Sequence, residues 1–168
     1  MSKLEIQLAV ENGDWPTEAE LEALSARVLG AASDFIAREE GQPFSEHPVE
    51  VSLVFTNDDD IRGINAEWRG QDKPTNVLSF PAYPIEPGDR PGPMLGDIII
   101  AYETVAREAV DLDKSFSDHL THLMVHGFLH LFGYDHMETG EAEEMEGLET
   151  RILAELGLSD PYAGQEAL

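Results

Sequence analysis

A chain of 168 residues, 42% apolar and 26% charged, has the length and composition of one globular domain with its own core, not of a disordered or fibrous segment. Ten Lys and Arg against 34 Asp and Glu leave a formal charge of −24, which excludes broad electrostatic attraction to nucleic acid but still permits a local basic patch. Cysteine is absent, so disulfides, thiolate metal sites, iron–sulfur clusters and a cysteine nucleophile are excluded, and any metal has to be held by histidine and carboxylate.

The first residues, Met1-Ser2-Lys3-Leu4-Glu5, carry no apolar signal segment, and no apolar run approaches membrane-spanning length. A soluble cytoplasmic protein with no membrane partner is expected. Residues 4–10 alternate apolar and polar, the period of a half-buried strand. Asn12-Gly13-Asp14 signals a turn, and Thr17 followed by Glu20 reads as the N-cap of a helix running to about Arg38. Val49, Val51, Leu53 and Phe55 alternate again as a second strand.

Asp58, Asp59 and Asp60 place negative charge where a helix N-terminus favours it, ahead of the apolar Ile61, Ile64 and Trp68. Thr75 to Phe80 reads as a strand halted by Pro81. Residues 84–94 contain four prolines and are expected to form an exposed, mobile loop. Leu95 to Ala101, with Ile98-Ile99-Ile100, reads as a buried strand, and Glu103 to Val110 as a helix. Phe116 to Phe132 is apolar on nearly every face, which predicts a central buried helix. Glu141 to Leu156 supplies a last helix with Met145, Leu148, Ile152 and Leu156 inward, and residues 158–168 are expected to be a loose tail. Strands and helices in this order predict one α+β domain over 1–168, a small mixed sheet packed against helices.

Five of the six histidines fall between positions 119 and 136. A lone histidine on an apolar helix is ordinarily a core residue, but the clustering changes that reading. His126 and His130 are four apart and project from one helix face. Gly133 allows the chain to turn back, which would bring His136 to the same point. Three imidazoles with a fourth position open is the pattern of a catalytic zinc ion, one per chain, on a buried helix and the turn after it. Other divalent transition metals suit the same donors. His122 shares the i, i+4 spacing with His126 but has no third ligand placed as well as His136, so it reads as a supporting or packing residue. His119 reads as a surface or hydrogen-bonding residue, and His47 is assigned nothing. The metzincin peptidases share the spacing H-E-x-x-H-x-x-G-x-x-H, but their general base is the Glu after the first His. Gly127 stands there and can move no proton.

The run His126-Gly127-Phe128-Leu129-His130-Leu131-Phe132-Gly133-Tyr134-Asp135-His136 resembles the signature H-G-x-L-H-L-x-G-Y-D-H of the bacterial YbeY endoribonuclease family. Trp68-Arg69-Gly70 leading into Thr75-Asn76-Val77-Leu78-Ser79-Phe80-Pro81, and Leu95-Gly96-Asp97-Ile98, extend the resemblance over roughly residues 50–150. It implies a metal-dependent hydrolase cutting single-stranded RNA, acting in maturation of the 3′ end of 16S ribosomal RNA and in ribosome quality control. It further implies zinc on His126, His130 and His136, a functional Arg69, and RNA and the ribosome or its associated proteins as partners.

The chemistry is compatible, since an ion with an open position activates water near neutral pH. Arg69 and Lys73 would contact substrate phosphate, the arginine through its planar fork. The residues alone also allow Arg69 a surface ion pair with Glu67 or Asp72, and Lys73 ordinary solvation. Asp135 would orient an imidazole, move a proton or merely cap. Asn76 and Ser79 would line the cleft, and Asp97 would brace it or end a turn. The alternatives are a metzincin-like metallohydrolase without its glutamate, and a non-enzymatic ribosome-assembly factor with a structural metal.

Overall fold

The computed structural model describes residues 4–44, 46–135 and 137–162. Strand β1 (Leu4–Val10) precedes α1 (Glu18–Glu39), β2 (Val49–Thr56), α2 (Asp58–Arg69), β3 (Val77–Pro81), β4 (Met94–Ala101), α3 (Tyr102–Asp111), α4 (Phe116–Leu131) and α5 (Thr139–Glu155). The four strands form one mixed sheet in the order β1-β2-β4-β3, with β1, β2 and β4 parallel and β3 antiparallel to β4. This is the α+β architecture expected. Among the described residues no helix is long and apolar enough to cross a membrane.

Local chemistry sets the boundaries. Thr17 caps α1 by accepting from the Glu20 amide at 3.2 Å, and Asn57 caps α2 by accepting from the Asp60 amide at 2.9 Å. Gly70 ends α2 in the left-handed region, at φ 68°, as a C-terminal glycine does. Alternation in β2 drives Val49, Val51, Leu53 and Phe55 to one face, where all four are buried with α1 and α4. Ile61 of α2 packs with Leu78, Ile99 and Ala101 in a separate apolar cluster. Helix α4 is central: Leu120, Met124, Val125, Phe128, Leu129 and Leu131 are all essentially inaccessible.

Two segments depart from expectation. The proline-rich loop is largely exposed but anchored: Gln42 donates from Nε2 to the Asp89 carbonyl at 2.8 Å and accepts from the Gly88 amide at 3.2 Å. Ile85 of the same loop packs on the core. The C-terminal segment expected to be loose from residue 158 is packed as far as Tyr162, with Leu158 against the core and Pro161 buried. Sequence composition signals turns and polarity there; it does not reveal that a single apolar or hydrogen-bonding side chain finds a partner on the body.

Candidate active site

Helix α4 carries the histidines because its own sequence packs it against the sheet. At Gly127 a Cβ would lie 3.0 Å from both Ile98 Cγ2 and Ser79 Oγ, so a side chain there would press on the sheet and its neighbours would have to give by a few tenths of an ångström. The Ser79 hydroxyl donates to the Gly127 carbonyl at 3.1 Å and ties β3 to the helix. The position that holds a glutamate base in the peptidases is therefore packed tightly against the sheet as well as lacking the carboxylate.

The helix ends in a reversal. The Gly133 amide donates to the His130 carbonyl at 3.0 Å and the Tyr134 amide to the Leu129 carbonyl at 3.2 Å. Gly133 sits at φ 96°, where a Cβ would also collide with the Ile85 carbonyl oxygen. The reversal returns the chain over the end of α4 and puts Tyr134 and Asp135 into a cleft of about 590 Å³ with Arg69, Asn76, Ser79, His126 and His130. His136, the third expected ligand, lies outside the described residues; among those described, no three His, Asp or Glu side chains group as a metal site.

Within the cleft the Nε2 atoms of His126 and His130 face each other at 3.1 Å. Two imidazoles sharing a tetrahedral zinc at roughly 2.0–2.1 Å bring their nitrogens to about 3.3 Å, so this pair fits the donor spacing of such an ion. The protonation of His126 is set from behind. Its Nδ1 donates to Glu149 Oε2 at 2.9 Å, which leaves Nε2 as a lone pair toward the cleft.

Glu149 is fully buried, and nothing in its local sequence sets it apart from the other glutamates of α5 as a partner of the histidines. Its Oε1 accepts from His122 Nε2 at 2.6 Å and from the Tyr162 hydroxyl at 2.5 Å. Burial alone would raise its pKa; the hydrogen bonds from His122 and His126 reverse this and hold the carboxyl at about 2. Burial and the adjacent Glu149 charge push the Tyr162 phenol far above its ordinary range, so it acts as a donor. A signal for the burial of Glu149 does exist in the sequence: it occupies the inward stripe of α5 with Met145, Leu148 and Ile152.

Arg69 lines the cleft, and among the described residues it makes neither of the ion pairs, with Glu67 or Asp72, that the residues alone allowed. Its Nη2 donates to the Ser79 carbonyl at 3.0 Å and its guanidinium lies 5.3 Å from the Phe80 ring centroid. Asp72 pairs instead with Arg62, at 2.8 Å. Lys73 is exposed and is not among the residues lining the cleft. Asn76 lines it and donates to Glu108 Oε1 at 2.9 Å. His119 is buried rather than superficial, with Nε2 2.8 Å from the same carboxylate oxygen. Asp97 is exposed on β4, in register with Phe80, and does not line the cleft.

The family model for Endoribonuclease YbeY matches residues 9–157. An Endoribonuclease YbeY of Allorhizobium ampelinum is 75% identical over 165 residues, 98% of each chain, and one of Agrobacterium fabrum is 70% identical over the full length of both. A solution structure of a protein from Thermotoga maritima superposes with a TM-score of 0.54 over 90% of this chain and 91% of its own, at 24% identity, and so shares the fold. A cleft holding paired imidazoles and an anchored arginine suits a hydrolase that cleaves RNA, and the chain belongs to the YbeY endoribonuclease family.

Proposed function

We propose that the protein is a zinc-dependent endoribonuclease for single-stranded RNA, acting in 16S ribosomal RNA maturation and ribosome quality control. The observation that carries the zinc reading is the 3.1 Å approach of His126 Nε2 and His130 Nε2, with the proton of His126 fixed on Nδ1 by Glu149. His126, His130 and His136 are the ligands in this reading. Held by these residues, the ion would supply Lewis acidity and a lowered pKa for water at neutral pH.

The chain's own residues do the rest. Arg69 spends one N–H on the Ser79 carbonyl, which fixes its guanidinium at the cleft wall, and a guanidinium has further donors for a phosphodiester oxygen. Glu149 keeps His126 in the tautomer that offers Nε2 as a donor atom. A net charge of −24 opposes tight binding of free RNA, so a ribosome or ribosome-associated protein is the natural agent to present the strand.

The test is cleavage of a single-stranded ribosomal RNA fragment by protein of measured zinc content. His126→Ala and His130→Ala lose zinc and at least about 100-fold in rate, a typical loss when a metal or general-base function is removed. Zinc-free wild-type protein that cuts at the full rate, or variants that cut as wild type, would refute the reading.

A further inference from the structure

A second cleft, of about 400 Å³, lies between α3, α4 and the Pro161–Tyr162 segment. It shares Asn76 and His126 with the first, so the two clefts adjoin at His126, and His130 lines only the first. Its walls are apolar and aromatic: Leu112, Leu123 and Pro161, with the Tyr162 and His122 rings set edge to face at 5.4 Å. Its polar edge is the Glu108 carboxylate, braced by Asn76 at 2.9 Å and His119 at 2.8 Å.

The charges select the occupant. Glu108 and Asp111 line the cleft with Lys114, so two carboxylates repel a phosphate group from it. A planar, uncharged group with N–H donors on its rim and a π-face for stacking is what these walls accept, and a nucleobase has both. A carboxylate offers about four acceptor positions, so Glu108 can still receive a base amino group beside Asn76 and His119. We propose that this cleft is the subsite for the base of the nucleotide adjoining the cleaved phosphodiester, and that it favours bases carrying an exocyclic amine over uracil. The proposal rests on the reading that His126 and His130 mark the cleavage point.

The test uses zinc-loaded protein and single-stranded oligoribonucleotides, each with one abasic ribose at a successive position around the cleaved bond. One adjoining position should lower kcat/KM about 10–100-fold, the usual worth of a stacked base, with uracil there cut more slowly than cytosine or adenine. Leu112→Trp, at a half-exposed wall position, fills the cleft; it should slow cleavage of intact RNA by a similar factor and abolish the abasic effect. In a separate arm, 2-aminopurine at the same position is quenched on binding His130→Ala protein, and the quenching disappears when Leu112→Trp is added.

Cleavage insensitive to every single abasic position overturns the subsite while leaving the metal reading intact. Position-specific quenching and an abasic effect at the same position, in wild-type protein that cuts at the full rate without zinc, support the subsite and overturn the metal reading. The abasic and uracil series need no variant, so a misfolded Leu112→Trp protein does not decide the matter.

Discussion

Glu149 gives the sharpest test of how the site is built. Its carboxylate receives three donors, His122 Nε2 at 2.6 Å, His126 Nδ1 at 2.9 Å and the Tyr162 hydroxyl at 2.5 Å, with 1% of the side chain exposed. Glu149→Ala removes the acceptor these donors share, and each donor left unsatisfied away from water costs about 1–3 kcal/mol, less for His126, whose side chain is 23% exposed to the cleft. The Tyr162 hydroxyl lies 3.2 Å from His122 Nε2 and can take up part of the loss, so the net destabilisation should be about 3–5 kcal/mol. Glu149→Gln keeps one acceptor oxygen and should cost about half as much. Both changes also release His126 from its tautomer, and the loss of such an orienting partner weakens zinc binding about 10–100-fold. Urea unfolding of chelator-treated protein measures the first effect, and competition with a chromogenic chelator measures the second. An alanine variant within about 0.5 kcal/mol of wild type, with unchanged zinc affinity, would refute the claim that this carboxylate organises the site.

Gly127→Ala pits a helix-propensity gain of about 1 kcal/mol against overpacking of about 1–3 kcal/mol, because the new methyl sits 3.0 Å from Ile98 Cγ2 and Ser79 Oγ. The overpacking should win, and thermal melting will show a lower Tm. Arg69→Lys keeps the charge but gives up the planar fork, the hydrogen bond to the Ser79 carbonyl and the contact with Phe80, so kcat/KM should fall at least about tenfold with a fall in Tm of only a few degrees; undiminished cleavage would remove Arg69 from phosphate binding. Burial alone would raise the Glu108 pKa, but hydrogen bonds from His119 and Asn76 bring it below the ordinary carboxylate range. A depressed folded pKa means that this ionised carboxylate stabilises the protein above its unfolded pKa of about 4.3, and that the contribution is lost as pH falls through the folded value. The stability gap between wild type and Glu108→Gln, followed by urea unfolding from pH 7 downward, should therefore close on the acid side; a constant gap would contradict the sign.

The elements were legible in the sequence because their periods are local properties. Alternation of Val49, Val51, Leu53 and Phe55 needs only the pleat to become a buried face, and Thr17 with Glu20 needs only one turn of helix to become a cap. The i, i+4 spacing likewise put His126 and His130 on one side of α4, and the glycine at 133 foretold the turn, because helix geometry and a positive φ depend on adjacent residues.

Partners distant in sequence were decided by the tertiary structure. Which carboxylate meets His126 depends on how α5 docks on α4, across 23 residues of chain, and that docking selected Glu149 from a helix rich in glutamates. Arg69 looked suited to a neighbouring acid, but β3 offered it a carbonyl and a ring, while Asp72 went to Arg62. The C-terminal residues read as loose because the partner of the Tyr162 hydroxyl is distant in sequence, a buried carboxylate that the packed helices assemble. The sequence by itself determined which groups could do chemistry on this protein. Packing of α4 between the sheet and α5 decided which of them are held, oriented and exposed to the cleft, because burial and hydrogen-bond geometry belong to the assembled chain.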